Sequence, residues 1–472
     1  MKKILLSFIM VFLLTGVFGI SAQDEQVTLR VMSWSAEQQE FYNEAIAEFE
    51  AEYPNISVEW ETLEQSAYRE SMPLRFQSGD APDIFFWLGA NRVLTMAELL
   101  DQEWVQPLVP EGTDTSEWMQ RWPAGSFAEG INMVDGVPYS FPFNDNKIWG
   151  AGYMYMNIDV WEAAGLDVTS PPETRSELLD ACRTIVAETG TFCMAVPLDG
   201  NQLQRTWYPL AGMAMTDQFF DIQTGRYAID DPRLLGTFDY LQTFFEEDLV
   251  VPGFNDQTFS RGAFANGQAA IYFDGAWMPS VFRNSFDFEN VAVAAPPVPD
   301  EGRTGSLAQT YSENKFYVSS QNEHPEAAWS FIEFMTRPDG FFAREYLARG
   351  FGTLAYADNA EYIEDPVFLD VIEIANEQDI RVLYPEPVVA CPELVTSQAL
   401  IEAENIRRNW EFEEMSLALS EGSDFAATAQ EIAAEKNSVF LETLEEEGFD
   451  PACYAFPEFE FTAAFDTANY EN

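Results

Sequence analysis

The sequence predicts an α/β protein of two or more domains, and three observations predict it. Short runs of alternating apolar and polar residues keep giving way to runs with helical spacing, which implies a parallel sheet with helices on both faces. About 450 residues follow a leader-like N-terminus, more than one hydrophobic core usually serves. A hydrophobic content of 47% with 15% aromatics excludes a disordered chain. In sheets of this kind ligands bind beyond the carboxyl ends of the strands, so residues just after a strand are the first candidates for a site.

The elements follow in chain order. Lys2 and Lys3 precede the apolar run Ile4 to Ile20, and Ser21-Ala22 supplies small residues ahead of Gln23, so residues 1–22 read as a cleaved secretory signal peptide. A retained anchor stays open, because Ile20 sits three positions before the cut. No cysteine follows the run to carry a lipid, and no later stretch is apolar for long enough to span a bilayer. The exported product is expected in the periplasm or outside the cell.

Val27, Leu29 and Val31 alternate as a strand. Ser35-Ala-Glu-Gln38 then forms a capping box before Phe41, Ala45, Ile46 and Phe49 at helical spacing. Pro54 stops that helix, Ile56, Val58 and Trp60 form a second strand, and Asp83 to Trp87 a third after the turn Ser78-Gly-Asp-Ala-Pro82. A second capping box, Thr174-Arg-Ser-Glu177, opens a helix with Leu178, Leu179, Cys182, Ile185 and Val186 on one face, which Gly190 ends. Asp231-Pro232 caps another, with Leu235, Phe238, Leu241 and Phe245 inward. In FANGQAAIYFDGAW an apolar strand, Ala269 to Phe273, ends by presenting Asp274 and Trp277. Pro325 begins a helix with Ala328, Phe331, Ile332 and Met335 on its face.

Composition narrows the chemistry. Against 24 basic residues stand 79 acidic ones, a formal charge of -55, or -57 once Lys2 and Lys3 are removed. That field repels nucleic acid, phosphorylated ligands and anionic lipid, and leaves neutral or cationic ligands. The single histidine, His324, sits at a helix start and reads as a solvated capping-region residue, so His-based triads and HExxH zinc sites are absent. No GxSxG or GxxxxGK[ST] occurs, and Gly150-Ala-Gly152 lacks the third glycine of a dinucleotide loop. Asn144-Asp-Asn146 lacks the glycine and closing glutamate of a calcium loop. No cofactor and no metal are expected. A paired-carboxylate hydrolase stays open among so many acids. The four cysteines of an exported chain favour two disulfides with three pairings; Cys182 with Cys193 and Cys391 with Cys453 is preferred, the first closing if the chain doubles back at Gly190.

The order of motifs resembles the extracellular solute-binding proteins of family 1, the maltodextrin-binding-like receptors of sugar ABC importers. The matching pieces are FYNEAIAEFEAEYPNISVEW, FQSGDAPDIFFW, VPYSFPF followed by YMYMNIDVWEAAGLDVTSPPETRSELLDAC, FANGQAAIYFDGAW, VAVAAPPVP and HPEAAWSFIEFMTRPDG, from about residue 27 to about 445. The resemblance implies a two-lobe periplasmic-binding-protein-like fold of type II with a hinged cleft. It places residues 27–142 and 309–353 in lobe 1 and residues 143–308 and 354–472 in lobe 2, with crossings near 140–145, 305–312 and 350–356.

By the same resemblance Trp277 delivers an aromatic face into the cleft and Asp274 supplies a polar partner. Trp87 follows PDIFF as in the relatives, and Asn91 and Arg92 take the matching polar positions after a one-residue insertion. Trp34, Gln38, Asn144, Asp145, Trp207 and Tyr208 fall in cleft-facing loops, and Tyr311 near a crossing. The implied function is non-catalytic: a monomer closing on a neutral sugar or oligosaccharide and docking on a membrane permease. A polyamine receptor using Asp145 and Asp274 is the alternative within transport, and a secreted carbohydrate-active hydrolase the alternative outside it.

Overall fold

The computed structural model describes residues 26–34, 38–87, 95–309, 313–314 and 316–471. The proposed signal peptide, the Ser35 end of the first capping box, Asn91, Arg92 and Tyr311 lie outside the described residues.

Two mixed sheets carry the fold. The first has the order Ile56–Thr62, Val27–Ser33, Ile84–Phe86, Phe316–Ser319, Val105–Gln106. Its first three strands are parallel, as the strand-helix alternation requires. Phe316–Ser319 instead runs antiparallel to both its neighbours, because the chain enters there from the other sheet and not through a helical crossover. The second sheet has the order Val291–Ala294, Ala151–Asn157, Ala269–Gly275, Phe192–Met194, and only the last pair is parallel. The parallel sheet read from the strand-helix alternation is thus mixed in both cases.

Both central strands of the second sheet are buried throughout. Alternation divides their side chains between two cores. Tyr153, Tyr155 and Tyr272 face one, while Met154, Met156, Ile271 and Phe273 face the other, together with Leu178, Cys182, Ile185 and Leu241 of the covering helices.

Local signals act where they were read except at the first helix, Gln39–Glu52, which begins after Gln38 with no side-chain cap bond, so Gln38 does not close the expected capping box. Thr174 accepts from the Glu177 amide at 3.3 Å, and Glu177 accepts from the Thr174 amide at 3.0 Å, a complete capping box. Gly190 then ends the Arg175–Thr189 helix at φ 70°, a conformation that favours glycine. The turn lets Cys182 and Cys193 form a disulfide, and Cys391 and Cys453 form the second, joining two segments that lie 62 residues apart. In the Pro232–Glu246 helix the inward set is Leu234, Thr237, Phe238, Leu241 and Phe244, with Leu235 and Phe245 only partly buried at its flank. Two doublets, Leu234-Leu235 and Phe244-Phe245, satisfy the helical period in either phase, and packing chose the other one.

Four stretches of chain meet between the sheets. Pro142–Asn144 pairs with Glu313–Asn314, and Leu307–Gln309 pairs with Arg381–Leu383. The Asn144 side-chain amide donates to the Thr353 carbonyl at 2.6 Å, and the Ala355 amide donates to the Phe143 carbonyl at 2.9 Å. Arg381, buried, donates to the carbonyls of Ala308, at 3.2 Å, and Ala151. A Cβ on Gly150, where φ is 126°, would lie 2.7 Å from that guanidinium, so glycine there serves both the backbone and the arginine. Among the described residues no helix is long and apolar enough to cross a membrane.

Candidate functional site

Both sheets turn the carboxyl ends of key strands toward these crossing segments. In the first sheet Phe86, the last residue of its strand, pairs with Phe316, which follows directly on Glu313–Asn314. In the second, Gly275 pairs with Ala151, shortly after Pro142–Asn144. The tryptophans just beyond the strand ends, Trp34, Trp87 and Trp277, therefore border the region where the chain passes between sheets, as the strand-end rule anticipates.

Trp277 is half-buried and precedes the Met278–Phe286 helix. Its indole folds back over Gly275, where an added Cβ would lie 2.2 Å from Cη2. Trp149 meets it edge-on with centroids 5.4 Å apart, and the Arg205 guanidinium stands 4.9 Å from its ring. Trp149 in turn abuts Gly352, where a Cβ would sit 3.1 Å from both the Trp149 ring and the Asn144 amide nitrogen. A continuous line of contacts thus runs from Trp277 to the crossing strands. Its ring packs against the edge of the first core and stays partly exposed.

Asp274 is engaged within the protein. It is fully buried, and every strong contact it makes is to protein: Arg261 donates to Oδ2 through Nε at 3.2 Å and Nη2 at 2.9 Å, and the Gly275 amide donates to Oδ1 at 2.8 Å. Arg205 Nη1 stands 3.6 Å from Oδ1. With its amide oxygen turned toward them, Gln257 accepts from Arg261 Nη2 at 3.0 Å and Arg205 Nε at 3.1 Å. Burial works against the Arg261 charge, and Asp274 more than offsets it, holding that guanidinium above its ordinary pKa. A carboxylate so engaged braces two arginines and has little capacity left for a guest's hydroxyls.

Asp145 is half-buried beside the crossing. Burial pushes its pKa up, partly opposed by the Lys147 amide, which donates to Oδ1 at 3.0 Å. Asn144 is buried and engaged with Thr353. On the first sheet Trp34 stands edge-on to Phe86, with centroids 4.0 Å apart, and Gln38 is buried with its oxygen accepting from the Tyr42 hydroxyl at 2.6 Å. Trp87 packs edge-on against Trp104, and its buried indole N–H has no partner among the described residues. Trp207 lies in the second core, 1% exposed and stacked on Phe219, while Tyr208 packs on Phe412. The Gln204–Ala214 helix reaches Trp277 through Arg205 instead.

Sequence reasoning missed Arg205, Arg261, Gln257 and Trp149. The available signal was the scarcity of positive charge: with 24 basic residues in 472, arginines near a strand-end aspartate deserve a partner search. Among the described residues the grouping of ligand atoms close enough for a metal is Cys391, Glu393 and Cys453, and its sulfurs are spent in a disulfide. A recess of about 460 Å³ on the first sheet, lined by Arg30, Trp60 and Arg75 among others, is a solvated groove whose arginines are paired with Asp80 and Glu61.

Comparison with known proteins agrees with this geometry. The putative ABC transporter periplasmic-binding protein YcjN of Escherichia coli (strain K12) is 24% identical over 327 residues, covering 66% of this chain and 69% of its own. Among solved structures, the GacH receptor of Streptomyces glaucescens, studied unliganded and with acarbose, superposes with a TM-score of 0.65 at 16% identity, covering 90% of this chain and 100% of that one. The ABC substrate-binding protein Lmo0181 from Listeria monocytogenes, in complex with cycloalternan, gives 0.63 at 17% identity over 90% of this chain and 100% of that one. These likenesses establish the two-lobe type II fold. The family model for bacterial extracellular solute-binding proteins matches residues 34–340, well over half of the sequence, and the chain belongs to that family.

Proposed function

We propose that this chain is the substrate-binding component of an ABC importer, holding a neutral sugar or oligosaccharide between two lobes and presenting it to a membrane permease outside the cytoplasm. The observation that carries the reading is Trp277: a partly exposed indole at a strand end, linked through Trp149 to the crossing segments. Sugars suit such a face, since their C–H bonds pack on the ring while their hydroxyls find fixed polar partners. Neighbours of the same fold were solved with acarbose, cycloalternan and raffinose, which supports the ligand class. Lobe 1 comprises residues 27–142 and 309–353 and lobe 2 residues 143–308 and 354–472, a division supported by the membership of the two sheets.

Closure buries the aromatic surfaces and completes the hydrogen bonds, and no covalent step is required. The polyamine reading loses ground at one of its two carboxylates, because Asp274 is already paired with Arg261 and Arg205. The test is a thermal-shift screen with mono- and oligosaccharides and polyamines, since a ligand selective for the folded state raises its melting point. The expected result is a shift with a sugar that Trp277→Ala abolishes, while the unliganded variant still folds with a melt lowered by only a few degrees through loss of the Trp149 and Arg205 contacts. A shift with polyamines alone, or turnover of the sugar, refutes the proposal.

A further inference from the structure

We propose that Arg205 is the hydrogen-bond donor with which the second lobe recognises its ligand, and that Asp274, Arg261 and Gln257 are positioning residues that hold it. The inference rests on the sugar-binding reading above and deepens it. It reverses the polarity of recognition at this point: a carboxylate would accept from sugar hydroxyls, whereas a guanidinium only donates, so the guest must offer an accepting oxygen. Ring, glycosidic and hydroxyl oxygens of a neutral sugar supply one, and so does the carboxylate of a sugar acid.

The two arginines are not equivalent. Arg261 spends Nε and Nη2 on Asp274 and shares Nη2 with Gln257, with a side chain 17% exposed. Arg205 gives Nε to Gln257 and approaches Asp274 only to 3.6 Å, too long for a hydrogen bond, with a side chain 22% exposed. Its Nη groups keep donor capacity, and the guanidinium carbon that carries them stands 4.9 Å from the centre of the Trp277 ring, so donor and indole border the same space. One buried carboxylate between two guanidiniums leaves a net positive charge at this strand end, in a chain whose formal charge is -55. Arg205 rises from the first turn of the Gln204–Ala214 helix, so its backbone is fixed, and the Asp274, Gln257 and Trp277 contacts fix its head. Such a donor meets the ligand already oriented, with little side-chain entropy left to lose.

The experiment uses the full mature chain and four probes: maltotriose, raffinose, chitotriose and trigalacturonate. Affinities are measured by calorimetry for wild type, Arg205→Lys, Arg205→Gln and Asp274→Asn, with unliganded melts alongside. For whichever probe binds wild type, Arg205→Gln weakens binding at least tenfold and Arg205→Lys severalfold. The lysine variant keeps the charge but loses the fork, and it guards against a glutamine variant that fails to fold. If the accepting oxygen is a carboxylate, trigalacturonate binds and its affinity falls as salt rises in wild type but not in Arg205→Gln; if it belongs to a neutral sugar, binding is salt-independent. Wild-type affinity retained in both Arg205 variants overturns the inference and leaves the sugar reading standing. So does an Asp274→Asn variant that loses binding while Arg205→Gln keeps it. No binding of any of the four probes to folded wild type overturns the sugar reading and this inference with it.

Discussion

Replacing Gly275 with alanine puts one methyl group where the Trp277 indole now lies. The backbone at this glycine is outside the left-handed region, so alanine is tolerated there and the effect is purely steric. The added carbon would sit 2.2, 2.3 and 2.4 Å from Cη2, Cζ3 and Cζ2 of the indole, against an ordinary carbon contact of about 3.5–4.0 Å. The ring therefore retreats by more than about 1 Å, into Trp149 on one side or away from Arg205 on the other. Giving up the Arg205 contact costs about 0.5–1 kcal/mol and the Trp149 edge contact about 0.5–1.5 kcal/mol. The sum, about 1–2.5 kcal/mol, corresponds to a melting point lowered by a few degrees. The displaced ring also gives up its contact with the guest, a loss made only in the complex, and at about 1.4 kcal/mol per factor of ten this weakens sugar binding roughly tenfold. The assay pairs calorimetric affinity with a thermal melt and tryptophan emission of the unliganded protein. An unchanged melt, emission and affinity in Gly275→Ala would show that the indole is not held over the glycine. A lowered melt with wild-type affinity would show that it is held but takes no part in binding.

Two further outcomes follow from the protein interior. Lys436, 1% exposed, lies 3.0 Å from Glu404 and 3.4 Å from Glu411. Lys436→Met leaves Glu411 buried without its counter-charge and costs about 3–5 kcal/mol at neutral pH. Burial raises the Glu411 pKa in the folded state, so the folded chain binds that proton more tightly than the unfolded one. Its contribution is complete below the ordinary glutamate value and erodes as pH rises through the folded value, so the deficit of the variant shrinks as pH falls. Urea unfolding at pH 5 and 7.5 measures this, and equal deficits at both would refute it. The second outcome concerns the disulfides, whose sequence separations are 11 and 62. Loop closure assigns them about 3 and about 4 kcal/mol, so replacing Cys391 and Cys453 with serine lowers stability more than replacing Cys182 and Cys193, again by urea unfolding.

Much of the fold was legible because its signals are short-range. Thr174 and Glu177 are three residues apart, and their reciprocal bonds form in any helix that starts there. Val27, Leu29 and Val31 declare a strand by alternation alone, and Gly190 with its neighbours brought Cys182 to Cys193. The strand-end positions of Trp34, Trp87 and Trp277 were legible for the same reason, since each follows a strand that can be read locally. Trp207 was read into the site because its loop faces the cleft in relatives; in this chain the helix turns it into the core and Arg205 outward.

The amino-acid sequence by itself determined the α/β class, the caps at Thr174 and Asp231, the aromatic candidates at strand ends and the preferred cysteine pairing. Tertiary structure alone decided the antiparallel strands, because their direction depends on which sheet the chain arrives from. It also chose between Leu234 and Leu235, where the helical period is indifferent. Above all it decided what Asp274 is for. Arg205 and Arg261 reach that carboxylate from two separate helices, and a charge's role depends on which opposite charge is folded against it, a distance that no local pattern of residues encodes.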